Sequence, residues 1–451
     1  MELEVTVSNI KVVVTTVPLV EDDAPLATPA YLKSLLLANG IDCVGLDLNI
    51  EILNKTKNHP MEQKLKSFFY SKKQHSSIAL IVNDMLHHYV KKIVEHNPTH
   101  VLLSLFAIDS QQFTKWLAAL LKYHYPNLKI IIGGPGLETL GAHKYNFPER
   151  LKQLGYIDHY FVGDVNDNFV NYFTTGSTVG FDDAFFKQNS QQKHWLTPNF
   201  DDYNFMNYKL VSLPIVDSRG CVQNCEFCDV VAFWKKFQYL TADEIFSQML
   251  ELNQRYNVFR FQLASSICNG NLVEFRKLMQ LMAQHNQSVD YIDQEFHWHG
   301  SFIIRKRDRH SEELWKNIKR SNGFLYCGVE SISSHVRINL GKNFTNDDLA
   351  SHLELAKKYN VGMHLLVIAS YYTETPQDYE YALQWFEDNK HYANNPVQQV
   401  QLTEIAILEG TQLQANVDLE RFENEKEMRY QHYIRLKQKA EECGFTVRTF
   451  D

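Results

Sequence analysis

The sequence predicts an α/β fold made of two successive parallel sheets that are covered by helices. Short β-branched runs alternate with amphipathic helical segments in both halves, and one polar stretch, 176–210, interrupts this alternation. A chain of 451 residues is long enough for two or three domains with their own cores. We therefore expect a first domain over 1–175, a linker over 176–210, a second domain over 211–410 and a helical C-terminal extension over 411–451.

The first half has the pattern of a doubly wound sheet. The expected strands are 11–16, 42–48, 100–106, 128–132 and 158–162, with helical patterns at 31–38, 51–95, 111–124 and 168–173. Ligands of such sheets bind at the carboxyl ends of the strands, where glycines let the backbone come close. Gly133, Gly134 and Gly163 lie at those ends. On these residues alone, the half could bind a nucleotide, a flavin or a corrin, or no ligand at all.

The second half contains six strand–helix units. The expected strands are 211–216, 258–264, 296–304, 324–330, 361–369 and 397–405. Thr241 and Glu244 have the spacing of a capping box at the start of a helix over 241–256. Further helical patterns cover 271–285, a segment from 311, 346–359 and 376–387. After the last unit we expect a charged helix over 418–443 and a short strand over 445–448.

Composition excludes several classes of protein. The net charge of −8 argues against binding to nucleic acid, which requires a basic face. The seven cysteines are odd in number and scattered along the chain, which argues against a disulfide framework, so a reducing compartment is expected. The N-terminal residues lack the basic-then-apolar order of a signal peptide, and no apolar run reaches the length of a membrane span. These features predict a cytoplasmic protein.

The most informative stretch is the loop after the first strand of the second half. Cys221, Cys225 and Cys228 follow a C-x3-C-x2-C spacing. Thiolates are soft ligands that iron prefers, and three of them this close can reach three corners of one iron–sulfur cube. A structural zinc site would need a fourth ligand, and the chain has no second cysteine pair. With three thiolates, one iron stays open to bind a substrate or cofactor.

This spacing, with Phe227 just before the last cysteine, resembles the motif of the radical S-adenosylmethionine (SAM) superfamily. The resemblance implies that Cys221, Cys225 and Cys228 hold one [4Fe–4S] cluster and that SAM binds the open iron. It also implies that the six units form the open, partial (β/α)6 barrel of that family. An electron from the cluster would then cleave SAM to methionine and a 5′-deoxyadenosyl radical. Because no further cysteine cluster follows, a single cluster is expected.

Further positions match the motifs of this family. The resemblance implies that Phe227 packs beside the adenine of SAM, and that Ser265 and Ser266 contact its amino acid end, although the Gly-Gly-Glu form seen in some members is absent. Gly328-Val329-Glu330-Ser331 matches the family's Gly-x-Glu-Ser pattern, so the Glu330 carboxylate is expected to accept hydrogen bonds from the ribose, with Ser331 beside it. The alternative for Glu330 is a structural ion pair with Arg305.

The first half is similar to the Rossmann-like, cobalamin-binding-type domain that precedes many radical SAM barrels. The landmarks that match are Pro18, Asp47, Ser104, Gly133, Gly134, Gly163 and Asp164. The resemblance implies cobalamin binding at Ser104, the two glycines and the Gly163-Asp164 pair. The D-x-H-x-x-G motif, whose histidine ligates cobalt in some cobalamin proteins, is absent here. We therefore expect cobalamin bound without a histidine ligand from this domain, or a domain that serves only as a scaffold.

The functional hypothesis that follows is a cobalamin-dependent radical SAM methyltransferase acting on an unactivated carbon of a small-molecule or peptide substrate. One alternative is a radical SAM enzyme for cyclisation, rearrangement or other chemistry, with cobalamin auxiliary or absent. A non-catalytic sensor is disfavoured by the complete cysteine motif within a complete set of barrel units. An external electron donor such as a flavodoxin or ferredoxin is expected. His297 and His299 alternate on one strand face and either orient substrate or belong to the core.

Overall fold

The structure is a computed structural model of the whole chain. It describes residues 10–449 except 21–23, 58, 72–75, 138–145, 183–194, 235, 309 and 409. The chain divides into two compact units, Met1–Leu213 and Pro214–Asp451. No helix among the described residues is long and apolar enough to cross a membrane.

The first unit is built on a five-stranded parallel sheet with the order β2-β1-β3-β4-β5. This order is that of a doubly wound fold, as predicted. Its strands are β1 (Lys11–Thr16), β2 (Asp42–Leu46), β3 (His100–Ser104), β4 (Lys129–Gly133) and β5 (His159–Phe161). Its helices are α1 (Ala27–Ala38), α2 (Leu48–Thr56), α3 (Glu62–Ser71), α4 (Ala79–Val94), α5 (Gln111–His124), α6 (Phe147–Gln153) and α7 (Asp167–Thr175).

Both faces of this sheet are buried. Val12 and Val14 belong to an apolar cluster with residues of α1 and α7, such as Leu35 and Phe173. The alternate residue Val13 is buried as well, which is the pattern of a parallel strand with helices on both sides. The strand expected over 42–48 is shorter, because Asp47 caps α2 by accepting a hydrogen bond from the Ile50 amide.

Part of the stretch expected to be a linker is bonded to the first unit. The Asn199 amide donates to the Ala30 carbonyl over 3.0 Å, and the Tyr208 hydroxyl donates to Asp47 over 2.9 Å. Lys33, which is almost wholly buried on α1, forms an ion pair of 2.5 Å with Asp202. The described residues of this stretch thus complete the packing around α1 and α2. The polar groups that suggested a linker form these hydrogen bonds and this ion pair.

The second unit contains a seven-stranded sheet with the order β6-β9-β10-β11-β12-β13-β14, and its registered pairings from β9 to β14 are parallel. These strands are β6 (Leu213–Ile215), β9 (Arg260–Leu263), β10 (His297–Phe302), β11 (Gly323–Glu330), β12 (Met363–Ala369), β13 (Val397–Glu404) and β14 (Val447–Arg448). A two-stranded ribbon of β7 (Ser218–Arg219) and β8 (Gln238–Tyr239) was not predicted.

The helices of the second unit follow the predicted alternation. They are α8 (Val230–Phe233), α9 (Ala242–Tyr256), α10 (Leu272–Ser288), α11 (Glu312–Arg320), α12 (Ser334–Asn339), α13 (Asn346–Tyr359), α14 (Pro376–Asp388), α15 (Gln412–Asn416), α16 (Leu419–Asn424) and α17 (Lys426–Glu442). The capping box of Thr241 and Glu244 is present at the start of α9. The expected (β/α)6 order is confirmed, and β14 extends its sheet by one edge strand. The short helices α8, α12 and α15 were missed because none is long enough to show a period, and the single helix expected over 418–443 is divided into α16 and α17.

Candidate cofactor site

The three cysteines of the motif lie on one loop, directly after β6 and β7. Cys225 is buried, and Cys221 and Cys228 are half-buried. The loop begins at Gly220, which has a φ of 77° and lies so close to Lys236 that a Cβ would stand 2.8 Å from its carbonyl oxygen. The Cys228 amide donates to the Cys225 carbonyl over 3.1 Å. The three cysteines thus lie on one hydrogen-bonded loop that follows the carboxyl end of β6.

The chemistry of this loop fits an iron–sulfur cluster. Burial raises the pKa of Cys225 to about 12 and that of Cys228 to about 11, so bound iron must displace these protons. No three His, Cys, Asp or Glu side chains in the described part of the chain are placed to hold one metal ion. An iron–sulfur cluster distributes its thiolate ligands over separate iron atoms, so the sulfurs need not converge on one point.

A buried carboxylate inside the motif anchors the loop to the rest of the unit. Both oxygens of Glu226 are hydrogen-bonded: Tyr371 donates to Oε2 over 3.0 Å, and Tyr372 and Asn416 donate to Oε1 over 2.8 Å each. Burial and the adjacent Glu226 carboxylate raise the pKa of Tyr372 to about 12, so its hydroxyl remains a donor. The sequence analysis missed Glu226, because its partners lie in distant segments.

The backbone of Glu226 is fixed as well. Its amide donates to the Leu340 carbonyl and its carbonyl accepts from the Leu413 amide, both over 2.9 Å. After α12 the chain passes close to the loop at Gly341, where a Cβ would lie 2.6 Å from the Asn224 carbonyl oxygen. The loop is therefore held from the ends of α12 and β12 and from α15 before any cofactor binds.

We expect Glu226→Ala to impair cluster loading, because Tyr371, Tyr372 and Asn416 would lose their acceptor and the loop its anchor. Changing groups that orient metal ligands typically costs about 10–100-fold in metal affinity. Anaerobic reconstitution followed by iron and sulfide determination would measure this, and Glu226→Gln, which keeps the shape, should be less affected. Glu427→Ala, at an exposed position on α17, is the control. Normal loading and an unchanged melting temperature in Glu226→Ala would contradict this role.

Phe227 is half-buried and packs against an apolar cluster below the cysteine loop. This cluster includes Leu340, Tyr371 and Leu413, the same segments that hold Glu226. Part of the ring is therefore covered by protein. A contact between Phe227 and the adenine of SAM stays a prediction.

Glu330 is paired with a lysine that the sequence analysis did not consider. Lys342 Nζ lies 2.7 Å from Glu330 Oε1, both side chains are largely buried, and the same ammonium also donates to the Gly328 carbonyl. Arg305 instead donates to the Gly270 carbonyl over 3.1 Å, so the alternative of an Arg305–Glu330 pair is wrong. Among the described residues no hydrogen bond to Glu330 Oε2 is present. Glu330 also has a φ of 62°, at a register shift between β11 and β12.

We expect Glu330→Gln to weaken SAM binding by about tenfold, the loss of a charge-assisted hydrogen bond of roughly 1.5 kcal/mol. Equilibrium dialysis of SAM against the cluster-loaded protein measures this affinity. Because the pair with Lys342 also stabilises the fold, the melting temperature must be recorded in parallel. Lys342→Met removes the cation but keeps the carboxylate, so it measures how much the ion pair contributes to the melting temperature. A large fall in melting temperature with unchanged SAM affinity in Glu330→Gln would assign the carboxylate to the fold alone.

The three serines predicted at the SAM site have different surroundings. Ser331 is buried and its carbonyl accepts a hydrogen bond from Arg337 over 2.6 Å. Ser265 donates to Asp217 over 3.0 Å, and burial raises the pKa of that carboxyl group to about 7. Ser266 is exposed. Of the three, Ser266 has the side chain most accessible to a ligand, and the SAM contacts stay predictions.

The first unit brings its predicted residues together at the carboxyl edge of its sheet. Ser104 and Gly133 are in register on β3 and β4, and Gly133 is in register with Phe161 on β5. Gly163 and Asp164 follow two and three residues later. At Gly163 the direction of a Cβ meets no atom within 4 Å, so the space beside it is open.

Packing within the protein accounts for Gly134. A Cβ there would lie 2.3 Å from the Leu105 carbonyl oxygen, and one at Gly136 would lie 2.4 Å from that of Ala107. These glycines let the loop after β4 pass close to the loop after β3, a demand of the fold itself. Phe106 lies between Leu105 and Ala107 in the chain, and its ring is 62% exposed, which leaves an apolar group at the edge where a ligand of this fold would bind.

Comparison with known proteins agrees with this site. Residues 215–386 match the family model described as the radical SAM superfamily. A protein of Methanocaldococcus jannaschii with the provisional name of methylthiotransferase is 24% identical over 180 residues, a match that spans 36% of this chain and only 36% of that protein.

Two solved structures share the fold. The radical SAM methyltransferase TsrM from Kitasatospora setae, solved with cobalamin and a [4Fe–4S] cluster, has a TM-score of 0.62 and 13% identity over 89% of this chain and 76% of that one. The cobalamin-dependent SAM radical enzyme OxsB, solved with aqua-cobalamin, has a TM-score of 0.58 and 12% identity over 90% and 54%. A radical SAM domain uses a [4Fe–4S] cluster and SAM. Residues 215–386 of this chain are therefore a radical SAM domain, and the chain shares its fold with TsrM and OxsB.

Proposed function

We propose that this protein is a cobalamin-dependent radical SAM methyltransferase that methylates an unactivated carbon of a small-molecule or peptide substrate. The observation that carries the proposal is the anchored loop with three thiols at the carboxyl edge of a radical SAM sheet. Similarity in fold to TsrM, a methyltransferase solved with cobalamin, supports the methylation and the cofactor.

The residues of the second unit have separate roles in this proposal. When bound, the cluster supplies the electron that cleaves SAM and cobalamin supplies the methyl group. Cys221, Cys225 and Cys228 ligate the cluster, and Glu226 holds their loop in place. Glu330 accepts hydrogen bonds from the ribose of SAM through Oε2, because Lys342 occupies Oε1. Phe227 and the apolar cluster beneath it keep water away from this side of the site.

The first unit is proposed to hold cobalamin at its carboxyl edge. Ser104, Gly133, Gly134, Gly163 and Asp164 surround this edge, and the exposed ring of Phe106 offers an apolar surface there. No histidine of a D-x-H-x-x-G motif is available to reach cobalt from below. We propose that the corrin is held through its periphery and side groups.

The second candidate is a radical SAM enzyme with other chemistry, in which cobalamin is auxiliary or absent. The match to the protein named as a methylthiotransferase favours keeping this candidate, since that name describes transfer of a methylthio group and does not mention cobalamin. In either case we propose a cytoplasmic enzyme that receives electrons from an external donor such as a flavodoxin or ferredoxin.

One anaerobic experiment separates the candidates. The cluster is reconstituted, and SAM carrying a deuterated methyl group, a reductant and hydroxocobalamin are added with candidate substrates. Methyl transfer predicts S-adenosylhomocysteine, 5′-deoxyadenosine and a deuterated product together. If 5′-deoxyadenosine forms without S-adenosylhomocysteine, and a product forms in the absence of cobalamin, the methyltransferase is rejected in favour of the second candidate.

A further inference from the structure

The sheet of the second unit has one face turned away from its helices, which we call the inner face. On β10, Trp298 packs against Phe275 of α10, and Phe302 packs against Trp315 of α11. Side chains of a strand alternate between faces, so His299 lies on the inner face. The same alternation places Tyr326 and His364 there, since the residues on either side of them are buried.

Four rings meet on this inner face. They come from three neighbouring strands and form what we call the ring cluster: His299, Phe324, Tyr326 and His364. Their centroids are 5.7 Å apart for His299–Tyr326, 5.2 Å for Tyr326–His364 and 4.6 Å for Phe324–His364, mostly edge to face. All four side chains are half-buried, so solvent reaches part of each ring.

Polar but uncharged groups surround the ring cluster. Gln262 of β9 is in register with His299, Ser301 of β10 with Tyr326, and Gln399 of β13 with His364. These three residues are half-buried too. Interiors of closed barrels are filled mainly by branched aliphatic side chains. Amides, imidazoles and a phenol in their place give this face many hydrogen-bonding groups.

Burial favours the neutral form of both imidazoles in the ring cluster. Burial lowers the pKa of His299 to about 4, and burial together with Arg448 lowers the pKa of His364. Arg260 and Arg448, which lie on the same face at its edges, are both exposed. The remaining charge, Glu330 at the carboxyl end of β11, is paired with Lys342. In the described part of these strands, the centre of the inner face therefore has no charged group.

We propose that the ring cluster binds the substrate of this enzyme, and that the bound part is an uncharged aromatic heterocycle with hydrogen-bonding groups. This rests on the proposed radical SAM function. Ring edges and faces would pack against a planar ring, and the amides and phenol would satisfy its polar atoms. A carboxylate or ammonium group would be desolvated here without a counter-charge, which is costly.

Binding of three probes of similar size tests the proposal: indole, benzoate and benzylamine, each titrated into the cluster-loaded full chain by calorimetry. Indole should bind at least tenfold more tightly than either ion. Tyr326→Phe removes one oxygen atom, and His364→Gln removes a ring. Each variant should lower the affinity for indole by about fivefold or more. His310→Phe, at an exposed position, is the matched control and should change nothing.

Two results would overturn the proposal: equal or tighter binding of benzoate or benzylamine, or indole affinity unchanged in both Tyr326→Phe and His364→Gln when these variants melt like the parent protein. SAM cleavage is assayed on the same samples. Loss of SAM cleavage with selective indole binding would refute the proposed function, whereas cleavage without selective binding would refute this inference alone.

Discussion

Replacing Cys221, Cys225 and Cys228 together by alanine is expected to abolish 5′-deoxyadenosine formation completely. Without thiolates the loop cannot hold a cluster, and no electron reaches SAM. The fold should survive, because Glu226 and its hydrogen-bond partners anchor the loop independently of the sulfurs. Liquid chromatography of anaerobic reactions measures the product, and circular dichroism and thermal melting check the fold.

Cys443→Ala is the matched control for this variant. Cys443 is buried at the end of α17, and its thiol lies 3.6 Å from Glu387, away from the motif loop in the chain. The Cys443→Ala variant should bind about four iron atoms and cleave SAM normally, as one cluster per chain requires. SAM cleavage by the triple variant would refute the cluster assignment. About eight irons per parent chain would refute the expectation of a single cluster.

The architecture could be predicted because both sheets are built from local patterns. The runs Val12–Val14 and Ile130–Ile132 are buried on both faces, and such runs are visible in the sequence without any long-range information. The capping box at Thr241 is equally local. The motif spacing of Cys221, Cys225 and Cys228 then identified the family, because ligand spacing within one loop also needs no tertiary contact.

The supports of the site could not be predicted, since they join segments that are far apart in the chain. Tyr371 is separated from Glu226 by 145 residues, and Asn416 by 190. Lys342 follows Glu330 by 12 residues across α12, a spacing with no periodic meaning. The packing demand at Gly134 could not be predicted for a similar reason: its neighbour is the Leu105 backbone, which only the folded sheet brings near.

The same reasoning decides how cobalamin binding is best tested. A large side chain at Gly134 would collide with the Leu105 backbone, so loss of binding in such a variant would report on folding. Phe106 is the better position, because its ring is 62% exposed and its replacement removes little packing. Tyr123→Asp, where the parent ring is 81% exposed on α5, provides a control with the same kind of change.

We expect the full chain to retain hydroxocobalamin through gel filtration and Phe106→Asp to bind it at least tenfold more weakly, because a charge would replace an apolar surface beside the corrin. Tyr123→Asp should bind normally. After reduction, electron paramagnetic resonance of the bound cobalamin should show the dimethylbenzimidazole tail displaced, and no imidazole nitrogen in its place, since the first unit has no D-x-H-x-x-G histidine. A parent protein that cleaves SAM but retains no cobalamin would reduce the first unit to a scaffold and select the second candidate function.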